Sequence, residues 1–540
     1  MGYFTRIANA SSAALFLAVA AAQLIDQAPL AGSAGSNDPF SQEFKKQVEA
    51  TMKHWKVPGF SIGVIDGEDI FTEGFGIATF PDTPATSETL WYGASTTKAH
   101  LGAVIAYLID NQTYPELSRG WETPISSIIR DDFVLQDDWA TQHITLEDAV
   151  THRTGMSRHE GSSMREIDGR PAQPRDIVRN LRNLPMAYEP RVKYSYCNLM
   201  FVTLAHAVET LTGKWLGHTL KELIWEPLGM SSTFFSFEDA FAAPEHLAAG
   251  YVWDEQEKSF QTVPFMAGDE NSGAGAIMSN VQDYAKWVKC LLHEAAPFPK
   301  EVHKDIRTPR MLAQLPADAF DVTLYGLGWM RTTYQGHVVY MHSGGMHAYG
   351  AFVAWLPEIK YGVVSFGNTA LTSNAVEEIL TWHLISEKLG IQADKRPDTV
   401  GKWTKFLSDR KTNSTEAAKQ LYPHLPDHPL PLQVNISQLV GDYTNAGYGT
   451  LRLREQDHPD KAGEVILVAD RPEMTWRYRL EFHHVSADNW MVGMSMPGIL
   501  ETDYSRAWFR IGADGKPAWL EYELSGSEME DGVIKFDRVG

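Results

Sequence analysis

A serine and a lysine stand three residues apart at the start of an apolar helical pattern. Ser95 and Lys98 follow Gly93 and Ala94, and apolar residues recur at helical spacing from Ala99 onward. Residues three apart share a helix face, so the lysine would lie beside the serine hydroxyl. A serine hydroxyl is a weak nucleophile that needs a proton acceptor and a site for the oxyanion. The pattern predicts an acyl-serine nucleophile, although a helix-capping serine with a solvated lysine also satisfies it.

A tyrosine and an asparagine open a second predicted helix, at Tyr196 and Asn198. The ordinary pKa of tyrosine is about 10, so the phenol accepts a proton near neutrality only beside a cation such as Lys98. Tyr194 is an alternative for this role, and Tyr196 is also compatible with a core position. Asn198 is compatible with a simple helix cap. Cys197 is interpreted as a buried, unreactive thiol.

A third stretch places His342, Gly344 and Gly345 on a predicted strand. The order Ser-x-x-Lys, Tyr-x-Asn and a basic residue before x-Gly resembles the serine β-lactamase and penicillin-binding protein family, most of all its class C β-lactamase branch. That branch has relatives among D-amino-acid peptidases, esterases and transesterases. The resemblance covers roughly residues 41–390. Other similar stretches are Val57–Gly59, His152–Gly155, Pro227–Met230, Ser279 with Asp283, and Tyr325–Trp329.

The resemblance implies a role for each of these side chains. Ser95 attacks an acyl carbonyl, and the backbone N–H groups of Ser95 and Gly345 form the oxyanion hole. Asn198 holds Lys98 and the substrate amide. The implied catalytic residues are Ser95, Lys98 and Tyr196, and the implied substrate-binding residues are Asn198, His342, Gly344 and Gly345.

His342 departs from the family pattern, which has a lysine at this position. Histidine has an ordinary pKa of about 6.5 and is mostly neutral at pH 7. We therefore expect neutral esters or amides as substrates, rather than β-lactams that carry a carboxylate. His342 is also compatible with a structural role on its strand. Further candidates for the pocket wall are His159, His347 and Tyr349.

Composition excludes several other classes of function. The 540 residues are 44% hydrophobic and 21% charged, with a formal charge of −21, which argues against nucleic acid or an anionic membrane as partner. No apolar stretch is long enough to span a membrane. Cys197 and Cys290 allow one disulfide at most. We find no spacing typical of a metal site, so we expect neither metal nor cofactor, and a small-molecule or peptide acyl substrate as partner.

The chain divides into four segments. Residues 1–22 resemble a secretory signal, with a short apolar core and small residues after it, so we expect secretion, with a cytoplasmic location as the alternative. Residues 41–392 carry all the motifs and form the predicted catalytic domain. Residues 393–434 are polar and then proline-rich, typical of a linker. Residues 435–540 alternate in strand fashion and predict a small all-β barrel or sandwich without catalytic groups.

Strands begin and end the predicted catalytic domain, with helices between them. This order indicates the α+β class, an antiparallel sheet with a helical domain. The predicted strands are 57–65, 69–76, 325–333, 336–341, 348–356 and 361–366, and the predicted helices include 41–55, 198–212 and 373–389.

The sequence thus predicts a serine hydrolase or acyltransferase that acts on an ester or amide through an acyl-enzyme at Ser95. A catalytically silent protein of the same fold that binds a ligand is the alternative. An α/β-hydrolase, which carries its serine in a strand-to-helix turn, is a disfavoured third interpretation.

Overall fold

The structure is a computed structural model. It describes residues 38–410, 413–426, 428–459, 461–497, 499–523 and 532–539. The predicted signal peptide, residues 1–22, lies outside the described residues. None of the helices in these ranges combines the length and the apolar character that a bilayer crossing requires.

Helices precede, interrupt and follow the strands of the catalytic domain. A π-helical turn, Lys221–Trp225, joins two of them. Their bounds are α1 Gln42–Trp55, α2 Thr97–Asp110, α3 Asp138–His143, α4 Leu146–Val150, α5 Pro174–Asn180, α6 Asn198–Thr212, α7 Leu216–Leu220, α8 Glu226–Leu228, α9 Phe237–Ala242, α10 Val281–His293, α11 Lys300–Arg307, α12 Thr372–Lys388, α13 Thr399–Arg410 and α14 Ser414–Leu421.

The strands of the catalytic domain form one large sheet and three short pairs. Their bounds are β1 Gly59–Asp66, β2 Asp69–Thr79, β3 Thr83–Pro84, β4 Trp91–Tyr92, β5 Glu166–Ile167, β6 Arg170–Pro171, β7 Gly250–Asp254, β8 Ser259–Val263, β9 Met278–Ser279, β10 Met311–Gln314, β11 Thr323–Tyr325, β12 Met330–Tyr334, β13 His337–Met346, β14 Tyr349–Leu356 and β15 Tyr361–Gly367.

The large sheet is antiparallel, in the order β10-β11-β12-β13-β14-β15-β1-β2-β3. Alternation along β1 sends Phe60, Ile62 and Val64 to the face covered by α1 and α12, and Ile65 to the opposite face. Helix α10 packs on that opposite face, where the core around α2 also lies. The sheet is therefore enclosed between helices, and the predicted α+β class is confirmed.

One predicted strand is wrong in its extent. The segment 325–333 is divided into the end of β11 and β12, with a turn at Gly326–Trp329 between them. In this turn Gly328 has a φ of +75°, and a Cβ there would lie 2.4 Å from the backbone nitrogen of Ala99. The chain breaks its strand because this glycine packs directly against the first turn of α2.

The C-terminal domain is a closed eight-stranded barrel, which resolves the predicted choice between barrel and sandwich. Its strands are β16 Gly441–Asn445, β17 Gly449–Asp457, β18 Val465–Arg471, β19 Tyr478–Ser486, β20 Asn489–Met496, β21 Ile499–Ile511, β22 Pro517–Glu523 and β23 Val533–Val539. Strand β23 pairs with β16 and closes the barrel. Inward-facing aromatic residues such as Tyr443 and Trp490 are fully buried.

The predicted linker contains α13 and α14 and lies against both domains. The indole of Trp403 donates to the carboxylate of Glu378 on α12 at 2.7 Å. Further along, the Tyr422 hydroxyl donates to the carbonyl of Trp490 in the barrel at 2.6 Å. The segment is thus packed in place rather than extended between the domains.

Candidate active site

The backbone around Ser95 forms a tight turn at the start of α2. Ala94–Thr96 is a single 3-10 turn, and Ala94 has a φ of 47°, a strained value for a residue with a side chain. The Thr96 hydroxyl donates to the carbonyl of Gly93 at 2.8 Å and braces the turn. Ser95 is left half-buried at the helix start.

Two of the predicted catalytic side chains contact the serine hydroxyl directly. Lys98 Nζ and Tyr196 Oη each lie 3.0 Å from Ser95 Oγ. Lys98 is fully buried and also donates to the carbonyl of Ala274 at 2.7 Å. The structure therefore brings Ser95, Lys98 and Tyr196 into one hydrogen-bonded group, in which Tyr196 rather than Tyr194 contacts the serine.

Burial favours the neutral forms of both Lys98 and Tyr196. Loss of solvation lowers the pKa of Lys98 well below its ordinary value, and the positive charge of Arg158 lowers it further. Burial likewise raises the pKa of Tyr196, although its hydrogen bond with Ser95 and the charge of Arg158 oppose that rise. Arg158 lies 5.2 Å from the centre of the Tyr196 ring. Burial thus favours the amine form of Lys98 and the phenol form of Tyr196 beside Ser95.

Tyr196 is held by a histidine that sequence analysis did not select. The ring of His152 packs on Tyr196 with centroids 4.2 Å apart, and its Nδ1 accepts a hydrogen bond from the backbone nitrogen of Cys197 at 3.0 Å. Burial and Lys98 lower the pKa of His152, which keeps the ring neutral. Cys197 is buried, and burial raises the pKa of its thiol to about 12, in agreement with an unreactive role.

Asn198 faces a charged pair rather than Lys98. It is the first residue of α6, and its Nδ2 donates to Glu160 Oε1 at 2.8 Å. Arg158 Nε donates to the same oxygen at 3.1 Å, with the arginine side chain 48% exposed. Among the described residues no hydrogen bond joins Asn198 to Lys98, the contact that the resemblance implied, and Asn198 Oδ1 is buried there without a partner.

His342 lies beneath the site, with both ring nitrogens bonded to protein groups. Nδ1 donates to the carbonyl of Ser343 at 2.6 Å, and Nε2 accepts from the Tyr325 hydroxyl at 3.0 Å. The side chain is 3% exposed, and burial together with Lys98 lowers its pKa to about 3. His342 is thus placed to support Tyr196, whose ring centroid lies 6.4 Å away, and its predicted contact with substrate stays a prediction.

Gly344 and Gly345 bring β13 against the nucleophile turn. A Cβ at Gly344 would lie 2.3 Å from the carbonyl oxygen of Gly93, so only glycine fits there. Gly345, the next residue, is exposed. The oxyanion hole expected from the backbone nitrogen of Gly345 stays a prediction.

The barrel reaches the site through the loop that carries Arg158 and Glu160. The Tyr448 hydroxyl lies 2.6 Å from Nδ1 of His159. Backbone hydrogen bonds link Thr475 to Ser163 at 2.9 Å and Arg165 to Glu473 at 3.0 Å. His159 is therefore a contact between the domains rather than part of the predicted pocket wall.

The other two candidates for the pocket wall differ from each other. His347 is half-buried, and its ring meets Trp476 of the barrel edge-on, with centroids 5.1 Å apart. Tyr349 is buried, and its hydroxyl donates to the carbonyl of Ala248 at 2.8 Å. Only His347 therefore lies where the barrel borders the site.

Another serine matches a nucleophile motif, but the structure excludes it. Gly59–Gly63 has the pattern G-x-S-x-G, yet it lies within β1 rather than at a strand-to-helix turn. Ser61 is fully buried and donates to the carbonyl of Thr86 at 2.7 Å. Among the described residues, no group of three or more His, Cys, Asp or Glu side chains is arranged to hold a metal ion.

Comparison with known proteins agrees with this geometry. Residues 44–384 match the family model described as Beta-lactamase. The chain is 38% identical over 491 residues to a protein named unguisins hydrolase ungD' from Aspergillus campestris, covering 90% of each chain. It is 22% identical to a D-aminopeptidase from Gluconobacter oxydans, over 67% of this chain and 65% of that protein.

A solved structure shares the fold over nearly the whole chain. The octameric penicillin-binding protein homologue from Pyrococcus abyssi superposes with a TM-score of 0.58 at 18% identity, covering 90% of this chain and 98% of that one. The family model spans more than half of the 540 residues, and it includes Ser95, Lys98, Tyr196 and His342. The resemblance found in the sequence is thus confirmed, and the chain belongs to the Beta-lactamase family of serine hydrolases.

Proposed function

We propose that this enzyme hydrolyses an amide bond in a peptide-like substrate through an acyl-enzyme at Ser95. One observation carries the proposal. A buried lysine and a buried tyrosine lie 3.0 Å from the same serine oxygen, on a tight turn at the start of a helix. Such a group can remove the serine proton and return it to a leaving amine.

The first step is the transfer of the Ser95 proton and the attack of Ser95 Oγ on the substrate carbonyl. In its amine form, which burial favours, Lys98 accepts the Ser95 proton along their 3.0 Å contact as Ser95 Oγ bonds to the carbonyl carbon. The carbonyl π-electrons move to oxygen, and the backbone N–H groups of Ser95 and Gly345 stabilise this oxyanion. The sequence favoured Tyr196 as acceptor, but burial raises its pKa, so it serves instead as a donor to Ser95 Oγ.

The remaining steps return the enzyme to its starting state. As the oxyanion collapses, the C–N bond breaks and the leaving nitrogen takes a proton delivered through Lys98 and Tyr196. Water then loses a proton to the same group and attacks the ester carbon of acyl-Ser95. The second tetrahedral intermediate releases the acid and restores the serine hydroxyl.

The choice of an amide and of water rests on the curated relatives. Both are named as hydrolases, and one of them as a D-aminopeptidase. His342 adds a neutral group where the family has a cationic lysine, so we propose an acyl portion without a carboxylate beside the scissile bond.

The test is intact-mass detection of an acyl adduct, with peptide mapping, after exposure to a fluorophosphonate, unguisins and D-aminoacyl p-nitroanilides. We expect labelling at Ser95 and release of product from at least one substrate. Ser95→Ala should abolish both while the fold is retained. Ser127→Ala is the matched control, since this exposed serine also lies in a 3-10 turn and its hydroxyl donates to the carbonyl of Pro124, remote from the site.

The same experiment separates hydrolysis from the silent alternative. Labelling of Ser95→Ala to the extent of the wild type would overturn the assignment of the nucleophile. An unlabelled wild-type protein that still binds these ligands would favour a binding protein of the same fold. Transfer of the acyl group to an added amine in preference to water would identify an acyltransferase instead.

A further inference from the structure

A buried polar cluster lies under the hairpin formed by β13 and β14. It consists of Ser373, Asn374 and Glu377 near the start of α12, and we call it the Asn374 cluster. The three side chains are 0%, 8% and 0% exposed. A Cβ at Gly350 on β14 would lie 2.5 to 2.8 Å from atoms of all three. Only glycine fits at position 350, because the three polar side chains pack directly against the backbone of β14 there.

Asn374 connects this cluster to the strand that borders Ser95. Its Nδ2 donates to the carbonyl oxygen of Gly344 at 2.8 Å and to Glu377 Oε2 at 3.0 Å. An amide nitrogen carries two hydrogens, so both are used. Glu377 fixes the side chain of Asn374, and Asn374 fixes the direction of the Gly344 carbonyl.

The direction of one carbonyl decides the direction of the next N–H. In a planar trans peptide the C=O and N–H bonds point to opposite sides. The register, in which Met346 and Tyr349 close a two-residue turn, directs the Gly344 carbonyl towards β14. Asn374 donates to the same oxygen from the sheet face that a Cβ of Gly350 would enter. The N–H of Gly345 consequently points away from β14.

That opposite side of β13 is open towards the nucleophile. Strand β12 pairs with β13 only as far as Met341, whereas β14 pairs with it as far as Met346. Beyond Met341 this edge of β13 is not paired with β12, and the turn of Ser95 lies over the adjoining face, where a Cβ of Gly344 would meet the carbonyl of Gly93.

We propose that Asn374 is a positioning residue that holds the Gly344–Gly345 peptide with its N–H directed at the oxyanion on the acyl-Ser95 intermediate. This inference rests on the proposed function. Pairing with β14 continues to Met346 and opposes a flip of this peptide. Because each of the two glycines samples a wide range of backbone angles, the bond from Asn374 is a second restraint on the same carbonyl. A flipped peptide would present a carbonyl oxygen to the oxyanion, and the hole would lose a donor.

The decisive variant is Asn374→Asp, which keeps the shape but removes the amide donor. It would be assayed with a p-nitrophenyl ester and the corresponding thionoester. We expect kcat for the ester to fall about 100-fold, the usual effect of losing one oxyanion donor, with KM changed less than about threefold. Sulfur is a weak acceptor of hydrogen bonds, so the thionoester should lose far less and the ester-to-thionoester ratio should fall at least about tenfold.

Asn368→Asp is the matched control. Asn368 is fully buried, and its amide donates to the carbonyls of Ile77 and Ala249 at 3.2 and 3.1 Å, while its Oδ1 accepts from the nitrogen of Gly59 at 2.8 Å. This variant loses comparable buried hydrogen bonds and can lower the melting temperature. Since none of these bonds involves β13, the ester-to-thionoester ratio should stay within about twofold of the wild type.

Glu377→Leu provides a second test that does not depend on the folding of Asn374→Asp. It removes the carboxyl that holds Asn374 but leaves the amide in place. We expect a smaller decrease of the ester-to-thionoester ratio in the same direction. Glu377→Gln, which keeps an acceptor oxygen, should restore most of the ratio.

The outcomes separate this inference from the proposed function. An unchanged ratio in Asn374→Asp, or equal losses on both substrates, would overturn the inference while a Ser95 adduct still supports the function. Failure of the wild type to form any adduct at Ser95 would overturn the function, and the inference with it.

Discussion

The two halves of the candidate site are held in different ways. Ser95, Lys98 and Tyr196 form a neutral half, bonded to one another at 3.0 Å and anchored within the catalytic domain. Arg158 and Glu160 form a charged half, with side chains 48% and 23% exposed, in a loop bonded to the barrel. The comparison indicates that the geometry around Ser95 depends on contacts within the catalytic domain, whereas the position of the Arg158–Glu160 pair also depends on contacts with the barrel.

The difference in solvent exposure between the two halves has an electrostatic explanation. A proton transfer between serine, lysine and tyrosine gains from a dry site, because burial lowers the pKa of Lys98 towards the working range of an acceptor. A charged pair is costly to bury and is better kept near solvent. The Arg158 and Glu160 side chains accordingly reach solvent, while the loop between them is anchored to the barrel through the buried His159.

The largest expected effect comes from breaking the neutral half. Lys98→Ala and Tyr196→Phe should each lower kcat by about three orders of magnitude, because both groups move the proton of Ser95. The double variant should lose little more than either single variant, since the two residues act as a unit. Single-turnover acylation with an activated ester measures all three variants against the wild type.

Tyr194→Phe is the control for this prediction. Its ring packs on His152 and Tyr325 with centroids 5.7 and 5.6 Å apart. The substitution keeps this ring and removes only a hydroxyl that does not contact Ser95, so the rate of acylation should stay near that of the wild type. Fully additive losses in the Lys98 and Tyr196 double variant would contradict a shared proton path. A damaging Tyr194→Phe with a mild Tyr196→Phe would contradict the assignment of the tyrosine.

The neutral half was predictable because its signals are local in sequence. Ser95 and Lys98 are one helical turn apart, and Tyr196 stands two residues before α6, so their types and spacing carry the information. The strand break at Gly328 was missed because it reflects a contact with the nitrogen of Ala99. That contact joins segments far apart in the chain, and a hydrophobic pattern does not record it.

The charged half and the supports of the site were not predictable for the same reason. Arg158 and Glu160 belong to no motif, and their arrangement depends on a barrel residue, Tyr448, far along the chain. Asn374 carried no signal either, because its role comes from a bond to the carbonyl of Gly344 on another element. In contrast, the burial of Cys197, the residue before Asn198, was predicted correctly from the sequence.

A smaller effect is expected from loosening the charged half at its barrel contact. Tyr448→Phe removes the hydroxyl that bonds to His159 at 2.6 Å. One buried hydrogen bond contributes about 0.5–1.5 kcal/mol, so we expect KM for a peptide-like amide to rise about three- to tenfold with kcat nearly unchanged. Steady-state kinetics with one amide substrate and one small activated ester measures the effect.

Tyr443→Phe is the matched control for the barrel. Tyr443 is fully buried, and its hydroxyl donates to the carbonyl of Leu439 at 3.0 Å, within the same part of the chain. Tyr443→Phe should lower the free energy of unfolding by about as much as Tyr448→Phe does, without changing KM for the amide substrate. A fall in kcat in Tyr448→Phe on the small ester would show that the barrel also supports the neutral half, and the division between the halves would fail.

The smallest expected effect tests how far the neutral half extends, and it concerns pH. Burial and Lys98 lower the pKa of His342 to about 3, so it becomes protonated only as the pH falls through that value and is neutral at both pH 6 and pH 8. A histidine with the ordinary pKa of about 6.5 would be about three quarters protonated at pH 6 and about 3% protonated at pH 8.

The measurement is the ratio of kcat/KM for an anionic cephalosporin reporter to that for an uncharged ester. Any titration of Lys98 acts on both substrates and cancels in this ratio, so we expect a change of less than about twofold between the two pH values. A ratio that rises about tenfold at pH 6, and no longer does so in His342→Gln, would show that His342 carries a charge and belongs with the charged half.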